Sequence, residues 1–209
     1  ITAITALEVF SKKNGAPIGA KITADGVAAV YWPGRAEVLT NPRDPVQIIV
    51  DGAHNSSSAA AFVSTIESLF PSMTQPILIY AGSGGHDFAA TAREFSRLLP
   101  KVIVTRTRHP KAVPAEIVAE ALQRDNVPVA AITNDVESAL RKASRMAKSG
   151  DVIVATGSLF VAAEIRETVL SIQPEIYPDM RGGVMPFYEV PHTGTSPQSR
   201  PPNTISESS

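Results

Sequence analysis

The stretch Val46-Gln47-Ile48-Ile49-Val50, followed at once by Asp51-Gly52-Ala53-His54-Asn55, decides the fold of this chain. A nearly continuous apolar run that ends in small and polar residues is typical of a strand buried on both faces of a parallel sheet. Residues 56–70 then place apolar side chains at helical spacing. A buried strand joined by a short loop to a helix indicates an α/β fold.

The same strand–helix unit recurs along the chain. Further strands are predicted at residues 76–80, 101–105, 127–132 and 151–155, and further helices at residues 87–99, 114–124, 135–148 and 159–170. Right-handed crossovers between such units predict a parallel sheet covered by helices on both faces. Ala36–Thr40 predicts an edge strand, antiparallel because its link to the strand at Val46 is short. We therefore predict a Rossmann-like, mostly parallel sheet of about five parallel strands plus one antiparallel strand.

The two ends of the chain differ from this middle part. Residues 2–13 have helical spacing, residues 14–35 predict a linker with one short turn, and the chain starts inside a helix without Met, which predicts a fragment. The Pro-, Ser- and Thr-rich residues 172–209 predict a disordered tail. We expect residues 1–38 to be the end of a preceding domain and a linker, and residues 39–171 to be the Rossmann-like domain.

Composition excludes several classes of protein. The 209 residues carry a formal net charge of −1, so no basic surface indicates nucleic-acid or membrane binding. The absence of cysteine rules out disulfides, thiolate metal sites and a cysteine nucleophile, and fits a reducing compartment. No apolar run reaches the roughly 18 residues that a membrane span needs.

Ligands of open parallel sheets bind beyond the carboxyl ends of the strands, so the segments after the predicted strands form the candidate site. These segments, which we call the rim, are Asp51–Asn55, Ala81–Asp87, Thr105–Pro110 and Thr156–Ser158. Asp51 suits a ribose hydroxyl or an amine, and His54 can donate to a carboxylate or a phosphate. Ser158 and the backbone N–H groups beside it suit an anion at a helix N-terminus.

Each rim residue also fits a purely structural role. Asp51, Asn55 and Ser158 can act as capping groups, and His54 can be a surface residue. Gly82–Gly85 lacks the third glycine of a dinucleotide-binding loop, and a turn capped near Asp87 explains it better. The sequence has no Gly-Lys-Ser/Thr loop for nucleotide phosphates.

Basic side chains near the rim have two possible roles as well. Arg106, Arg108 and Lys111 can contact phosphate or carboxylate, or can be solvated loop charges. Trp32-Pro33-Gly34-Arg35 holds the only tryptophan, and an arginine after a rigid Pro-Gly turn suits a phosphate. His54, His86 and His109 fall on different loops, and we predict no metal site.

Taken together and in order, these segments resemble the folylpolyglutamate synthase and dihydrofolate synthase family of the Mur ligase superfamily. The resemblance covers about residues 2–170. It is carried by Trp32-Pro33-Gly34-Arg35 with Glu37-Val38, Asp51–Asn55, Gly85-His86-Asp87, Arg108–Ala112 and Thr156-Gly157-Ser158-Leu159-Phe160. Three positions depart from the family pattern: Thr2 stands in place of an Asn, His86 in place of a Lys and Lys111 in place of an Arg.

The resemblance implies a Mur ligase C-terminal domain, part of an enzyme that joins L-glutamate to a folate and splits ATP to ADP and phosphate. Arg35 and Asp51 resemble ATP contacts, and His54 and Ser158 resemble residues that hold the incoming glutamate. Arg35 and His54 are the candidate catalytic residues. ATP is expected with Mg²⁺, whose ligands belong to a P-loop ATPase domain that is missing from this chain, so this part is expected to be inactive alone.

The resemblance also implies a cytoplasmic monomer that acts on small molecules and does not bind nucleic acid or membranes. Two other functions stay open. One is a Mur-type ligase for a peptidoglycan precursor. The other is a Rossmann-type nucleotide-binding module without turnover. Whether the acceptor is dihydropteroate, tetrahydrofolate or both does not follow from these residues.

Overall fold

The computed structural model describes residues 2–41, 44–73 and 75–174. Its elements are α1 (Thr2–Lys13), α2 (Ala20–Ala28), β1 (Glu37–Asn41), β2 (Asp44–Val50), α3 (Ser56–Leu69), β3 (Ile77–Tyr80), α4 (Phe88–Glu94), a 3₁₀ helix (Phe95–Leu98), β4 (Lys101–Val104), α5 (Ala115–Arg124), β5 (Val129–Ile132), α6 (Val136–Met146), β6 (Val152–Thr156) and α7 (Leu159–Leu170). The predicted alternation of strands and helices is confirmed. The predicted tail at residues 172–209 lies outside the described residues, apart from residues 172–174.

The sheet has six strands in the order β1-β2-β6-β3-β4-β5. β1 pairs antiparallel with β2, with Glu37 opposite Val50, and the other neighbours are parallel. The predicted arrangement of five parallel strands and one antiparallel edge strand is therefore confirmed. Strands β3 and β6 are buried at every position, whereas β5 alternates between half-buried and exposed residues because it lies at the other edge.

The position of β6 explains why helices cover both faces. The chain runs outward from β2 through β3 and β4 to β5, and then returns to place β6 between β2 and β3. Because crossovers keep one handedness, the outward and return connections lie on opposite faces of the sheet. One core cluster accordingly contains side chains of α3, α4 and α5, and the other contains side chains of α6 and α7.

Helix α2 is a correction to the sequence analysis, which predicted a linker with one short turn over residues 14–35. The helix was missed because the signals that mark one are absent from its sequence. Gly19 has no side chain to cap the N-terminus, and Gly26 lies inside the helix. None of the described residues of α2 is buried, so no apolar stripe faces the core. Within the described part of the chain, no helix is long and apolar enough to cross a lipid bilayer.

Candidate functional site

The carboxyl end of β6 forms a crevice with its neighbours. β2 and β3 continue into helices on one face of the sheet, whereas β6 continues into α7 on the other face. Adjacent strands whose connections leave in opposite directions open a cleft at their carboxyl ends, which is where α/β sheets bind ligands. The Gly157 amide and the Thr156 hydroxyl both donate to the Ala53 carbonyl, at 3.0 and 3.3 Å, and so join the two loops that border this crevice.

The turn at Pro33–Ala36 lies against the first rim loop. The Gly52 amide donates to the Gly34 carbonyl at 3.0 Å, and the Ala36 amide donates to Asp51 Oδ2 at 2.8 Å. Gly34 and Ala36 have φ values of +69° and +44°. A left-handed alanine is strained and persists only where surrounding contacts hold it. These bonds bring Arg35 to the rim. They join the Trp32–Arg35 motif to the Asp51–Asn55 motif, which are separate in the sequence.

Gly52 leaves the space that the Arg35 guanidinium occupies. A Cβ atom at position 52 would lie 3.2 Å from Arg35 Nη1 and 3.2 Å from Leu159 Cδ1, which is tighter than ordinary contact. The Arg35 guanidinium carbon is also 5.8 Å from the centre of the Trp32 ring. Such a cation–π contact contributes about 0.5–1 kcal/mol at an exposed site. The exposed Arg35 side chain therefore lies near both the Trp32 ring and the Gly52 backbone.

Asp51 links the turn that carries Arg35 to the first rim loop. Its Oδ1 accepts from the Ala53 amide and its Oδ2 from the Ala36 amide, both at 2.8 Å. Burial raises the pKa of this carboxyl, and the two backbone bonds, Arg35 and His54 oppose that shift. The structural role that the sequence left open for Asp51 is therefore present. Each carboxylate oxygen can accept a second bond, so a ligand hydroxyl still fits.

His54 is half-buried and oriented by its own loop. Its Nδ1 is 2.9 Å from the Gly52 carbonyl oxygen, and a carbonyl only accepts, so Nδ1 carries the proton. The neutral ring then offers Nε2 as an acceptor, while the protonated ring offers it as a donor. The rings of His54 and His86 lie edge to face with centroids 4.8 Å apart. The second rim loop therefore reaches His54.

Ser158 is the N-cap of α7. Its hydroxyl oxygen accepts from the Val161 amide at 3.3 Å, and the residue is 4% exposed. Gly157 before it has φ of +105°, and a Cβ there would lie 2.3 Å from the Ala81 carbonyl oxygen. The predicted capping alternative for Ser158 is confirmed, while its contact with glutamate stays a prediction. Asn55 and Asp87 likewise cap α3 and α4.

The third rim loop is fixed by contacts on both sides. The Gly84 amide donates to the Lys111 carbonyl at 2.9 Å, and the His109 ring stacks on Phe160 with centroids 3.7 Å apart. Burial lowers the pKa of His109, and nearby Lys111 adds to the effect. The Arg108 guanidinium, which is 37% exposed, forms an ion pair with Glu167 at 2.5 Å.

A cavity of about 390 Å³ opens beside this loop, between α6 and α7. Charged residues dominate its lining: Arg108, Asp135, Glu137, Glu164 and Glu167. Four carboxylates against one guanidinium disfavour phosphate or carboxylate ligands, so this cavity is not the anion site. Among the residues that the structure describes, no group of three or more histidine or acidic side chains could hold a metal ion.

The sequence analysis did not explain why glycine is needed at three positions of the site. Gly34, Gly52 and Gly157 each permit a close approach that a side chain would block. A glycine directly after a buried strand is a signal for such an approach, but the approaching group is named only by the structure. The sequence analysis named Glu37 only within a family motif and missed its ion pair with Arg166, because Arg166 lies on a helix distant in the sequence.

The fold is a Rossmann-like α/β domain with a crevice at its topological switch point. The family described as "Mur ligase, glutamate ligase domain" matches residues 34–159. This chain belongs to that family. The match contains the complete sheet and all four rim segments.

Relatives and solved structures agree with the family. Folylpolyglutamate synthase of Lacticaseibacillus casei is 31% identical over 176 residues, which cover 80% of this chain and 37% of that protein. UDP-N-acetylmuramoyl-L-alanyl-D-glutamate–2,6-diaminopimelate ligase of Chelativorans sp. (strain BNC1) is 30% identical over 128 residues, which cover 59% of this chain and 26% of that protein. This chain therefore spans little more than a third of the first relative and about a quarter of the second.

The fold is shared with a solved enzyme. The structure of Mycobacterium tuberculosis folylpolyglutamate synthase complexed with ADP and AMPPCP has a TM-score of 0.67 to this chain at 24% identity. The similarity covers 79% of this chain and 38% of that one.

Proposed function

We propose that this chain is the C-terminal domain of an ATP-dependent, ADP-forming ligase that joins L-glutamate to a folate. The observation that carries the proposal is the convergence of Arg35, Asp51 and His54 around Gly52, in a chain of the glutamate ligase domain family. Folylpolyglutamate synthases are among its relatives, and the first of them is 31% identical over four fifths of this chain.

The proposed reaction has two balanced steps. A carboxylate of the folate attacks the γ-phosphorus of ATP, and the bond to the bridging oxygen breaks, which gives an acyl phosphate and ADP. The amine of glutamate then attacks the acyl carbon, expels phosphate and loses a proton, which leaves an amide. Charge develops on phosphate oxygens in the first step and on the departing phosphate in the second, so a fixed cation lowers both barriers.

The residues of this chain suit distinct parts of that reaction. Arg35 supplies the cation, and the Trp32 ring and the Gly52 backbone lie near its guanidinium. Asp51 can accept from a ribose hydroxyl. His54, with its proton on Nδ1, presents Nε2 either to the carboxylate or to the amine of glutamate. Ser158 lies beside the N-terminus of α7, where a carboxylate is favoured.

Magnesium and the phosphate-binding loop do not fit the described residues. No cluster that could hold a metal ion occurs among them, and the sequence has no Gly-Lys-Ser/Thr loop. We therefore assign no step to a metal in this chain. A P-loop ATPase domain joined to this one would supply both, and this part is proposed to be inactive without it. The protein is proposed to be a cytoplasmic monomer.

The surface of α1 and α2 supports a covering domain. The two helices enclose an apolar groove of about 320 Å³. Leu7, Ile22 and Val27, which line it, are each more than half exposed. Exposed apolar patches of this kind mark contact surfaces. We propose that residues 1–38 are the end of the ATPase domain and a linker, so that this surface lies against that domain, and that residues 39–171 form the Rossmann-like ligase domain.

The test is ADP release by the intact protein that carries this chain. L-Glutamate is supplied with tetrahydrofolate or with dihydropteroate, and parallel reactions omit one substrate at a time. ADP that forms only when acceptor and glutamate are both present supports the proposal and identifies the acceptor. No turnover with either acceptor by a folded, ATP-binding protein contradicts it.

The second candidate is a ligase for a peptidoglycan precursor, which the 30% identity to the Chelativorans enzyme favours. The same assay with UDP-linked muramyl peptides and a diamino acid separates it from the first. A nucleotide-binding module without turnover is the third candidate. ATP binding without ADP release under all of these conditions would favour it.

A further inference from the structure

The turn that carries Arg35 is braced from outside the site by helix α7. Arg166 Nη2 donates to the Tyr31 hydroxyl at 2.8 Å. Arg166 Nε forms an ion pair with Glu37 Oε2 at the same distance, although the angle is not that of a hydrogen bond. The Arg166 and Glu37 side chains are 18% and 13% exposed, so this pair is shielded more than an ordinary surface pair. Shielded ion pairs depend strongly on both partners, because an unpaired buried charge is costly.

Glu37 connects Arg166 to the backbone of the turn. The same Oε2 atom that faces Arg166 accepts from the Gly34 amide at 2.8 Å. Gly34 precedes Arg35 directly, and its carbonyl accepts from the Gly52 amide. The segment from Tyr31 to Glu37 is therefore tied at both ends to one side chain of α7, with Arg35 between the two ties.

The contacts of Arg166 with Tyr31 and Glu37 matter because the turn between them has a strained backbone. Gly34 and Ala36, on either side of Arg35, both have positive φ, and alanine adopts such values only at a cost. A turn in this conformation relaxes when the bonds that hold it are lost. Relaxation would move the Arg35 guanidinium from its place beside Gly52.

Helix α7 also contributes directly to the site. Its N-cap is Ser158, and Leu159 Cδ1 lies 3.2 Å from the positions where Cβ atoms of Gly34 and Gly52 would be. The turn is thus aligned along α7, with Leu159 near its start and Arg166 two helical turns later. An Arg166 contact keeps the turn in register with the helix N-terminus.

We propose that Arg166 is a positioning residue, which fixes Arg35 through Glu37 and the Gly34 amide. This inference rests on the proposed function, because it assigns the bracing of a residue that acts on phosphate. Misplacement of a catalytic group by about 1 Å can cost about a hundredfold in rate. Loss of Arg166 should therefore lower the turnover number while binding of glutamate at His54 is retained.

The variants are Arg166→Gln, Glu37→Gln, their combination and Tyr31→Phe. Arg97→Gln serves as the matched control, since Arg97 pairs with Glu67 at 2.8 Å on the surface and both side chains are at least 40% exposed. Tyr31→Phe removes one hydroxyl from a residue that is 74% exposed, so it cannot prevent folding.

The first readout is the fluorescence of Trp32, the only tryptophan, in the 209-residue chain. Trp32 lies next to Tyr31 and faces Arg35. We expect Arg166→Gln and Tyr31→Phe to change its emission maximum or its quenching by acrylamide, and Arg97→Gln to leave both as in the wild type. Unchanged Trp32 emission and quenching in Arg166→Gln and Tyr31→Phe would overturn the proposal.

The second readout is ligase kinetics of the intact protein, per folded molecule. We expect Arg166→Gln to lower kcat about tenfold or more with the glutamate KM within about twofold, which marks loss of an interaction made in the transition state. The double variant should be no worse than either single one, because residues that act as one unit are not additive. Wild-type kcat in Arg166→Gln, or additive losses, would overturn the positioning role. If the wild type itself shows no ligase turnover, the proposed function fails, and the Trp32 readout still decides whether the brace exists.

Discussion

At the scale of single residues, the site depends on how closely a guanidinium can approach a backbone. Arg35 Nη1 lies 3.2 Å from the position that a Cβ atom of residue 52 would have, so the absence of a side chain at Gly52 makes room for the guanidinium. The same loop presents Asp51 and His54. A local change at position 52 should therefore act on Arg35 first.

We expect Gly52→Ala to lower the turnover of the intact protein about tenfold or more, which corresponds to about 1.4 kcal/mol in the barrier. The added methyl group displaces the guanidinium, and the flexible side chains around it keep the loss of folding stability small. Arg35→Ala should reduce turnover strongly while the domain still folds. Steady-state kinetics and urea unfolding measure the two effects.

The control for this prediction is the double variant. In an Arg35→Ala background, Gly52→Ala should cause no further loss of turnover, because the group that it displaces is already gone. A full second loss in that background would show that Gly52 acts on something other than Arg35. Unchanged activity of Arg35→Ala would remove Arg35 from the catalytic role.

His54 carries the second prediction at this scale. His54→Ala should raise the KM for glutamate more than the KM for ATP, because the variant loses the Nε2 atom that is proposed to contact glutamate. Initial rates at varied glutamate and at varied ATP give the two constants. An equal rise in both constants would argue against a glutamate role.

At the scale of elements, the loops after β3 and β6 meet at a point that tolerates no side chain. Gly157 has φ of +105°, and a Cβ there would lie 2.3 Å from the Ala81 carbonyl oxygen. Gly150 has a similar φ of +88°, yet a Cβ there would meet nothing within 4 Å. The two glycines form a matched pair that separates backbone strain from close packing.

We expect Gly157→Ala to destabilise the domain by about 2 kcal/mol more than Gly150→Ala, in line with the usual cost of overpacking. Both variants carry the strain of a left-handed alanine, but only the first carries the clash with β3. Urea unfolding of the chain followed by far-UV circular dichroism gives both values. Equal losses would mean that the loop relaxes away from Ala81.

Glu164 on α7 gives a prediction about pH. The residue is 5% exposed, and its Oε1 accepts from the Arg108 amide at 2.8 Å. Burial raises the pKa of this carboxyl above 4.5, although the Arg108 amide and the Arg108 charge oppose the shift. Because the folded state then holds the proton more tightly than the unfolded state, this carboxyl lowers folding stability as the pH rises above about 4.5, its usual pKa.

Glu164→Gln removes that dependence. The free energy of unfolding of the wild type, relative to Glu164→Gln, should therefore increase as the pH falls from 7 toward 4.5. Urea unfolding at a series of pH values measures the difference, and the variant supplies its own baseline for all other groups. A difference that shrinks with acidification would show that the Arg108 amide bond and the Arg108 charge outweigh burial.

At the scale of the whole molecule, the chain divides between a closed core and an open surface. Two clusters of buried side chains cover the sheet, whereas α1 and α2 expose Leu7, Ile22 and Val27. The chain covers 37% of the Lacticaseibacillus casei protein. These two facts are the basis of the proposal that the ATPase domain packs on α1 and α2.

A charged side chain introduced on this surface should lower the stability of the intact protein but not that of the isolated 209-residue chain. Ile22 is 69% exposed, so Ile22→Glu should change the stability of the 209-residue chain by less than about 0.5 kcal/mol. In the intact protein the same change would bury an unpaired carboxylate, and we expect lower stability and weaker activity. Thermal unfolding of both forms measures this, and an unaffected intact protein would contradict the contact.

The sequence alone determined the class of fold, the edge strand and the four rim segments. Strands such as Val46–Val50 can be recognised in the sequence because burial on both faces favours a nearly continuous apolar run, which only Gln47 interrupts here. Short polar loops after each strand are legible because they end the run, and caps such as Asn55 and Asp87 mark the helices that follow. The helix Ala20–Ala28 was not legible, because its residues make no buried contacts.

Only the tertiary structure decided which of these pieces meet. The insertion of β6 between β2 and β3 creates the crevice, and strand order depends on the packing of both faces rather than on any one segment. Likewise, Arg35 meets Gly52 and Arg166 meets Glu37 across long separations in sequence. Local periodicity reports which side of an element is buried, whereas the partners of a polar side chain are set by the three-dimensional arrangement of the elements.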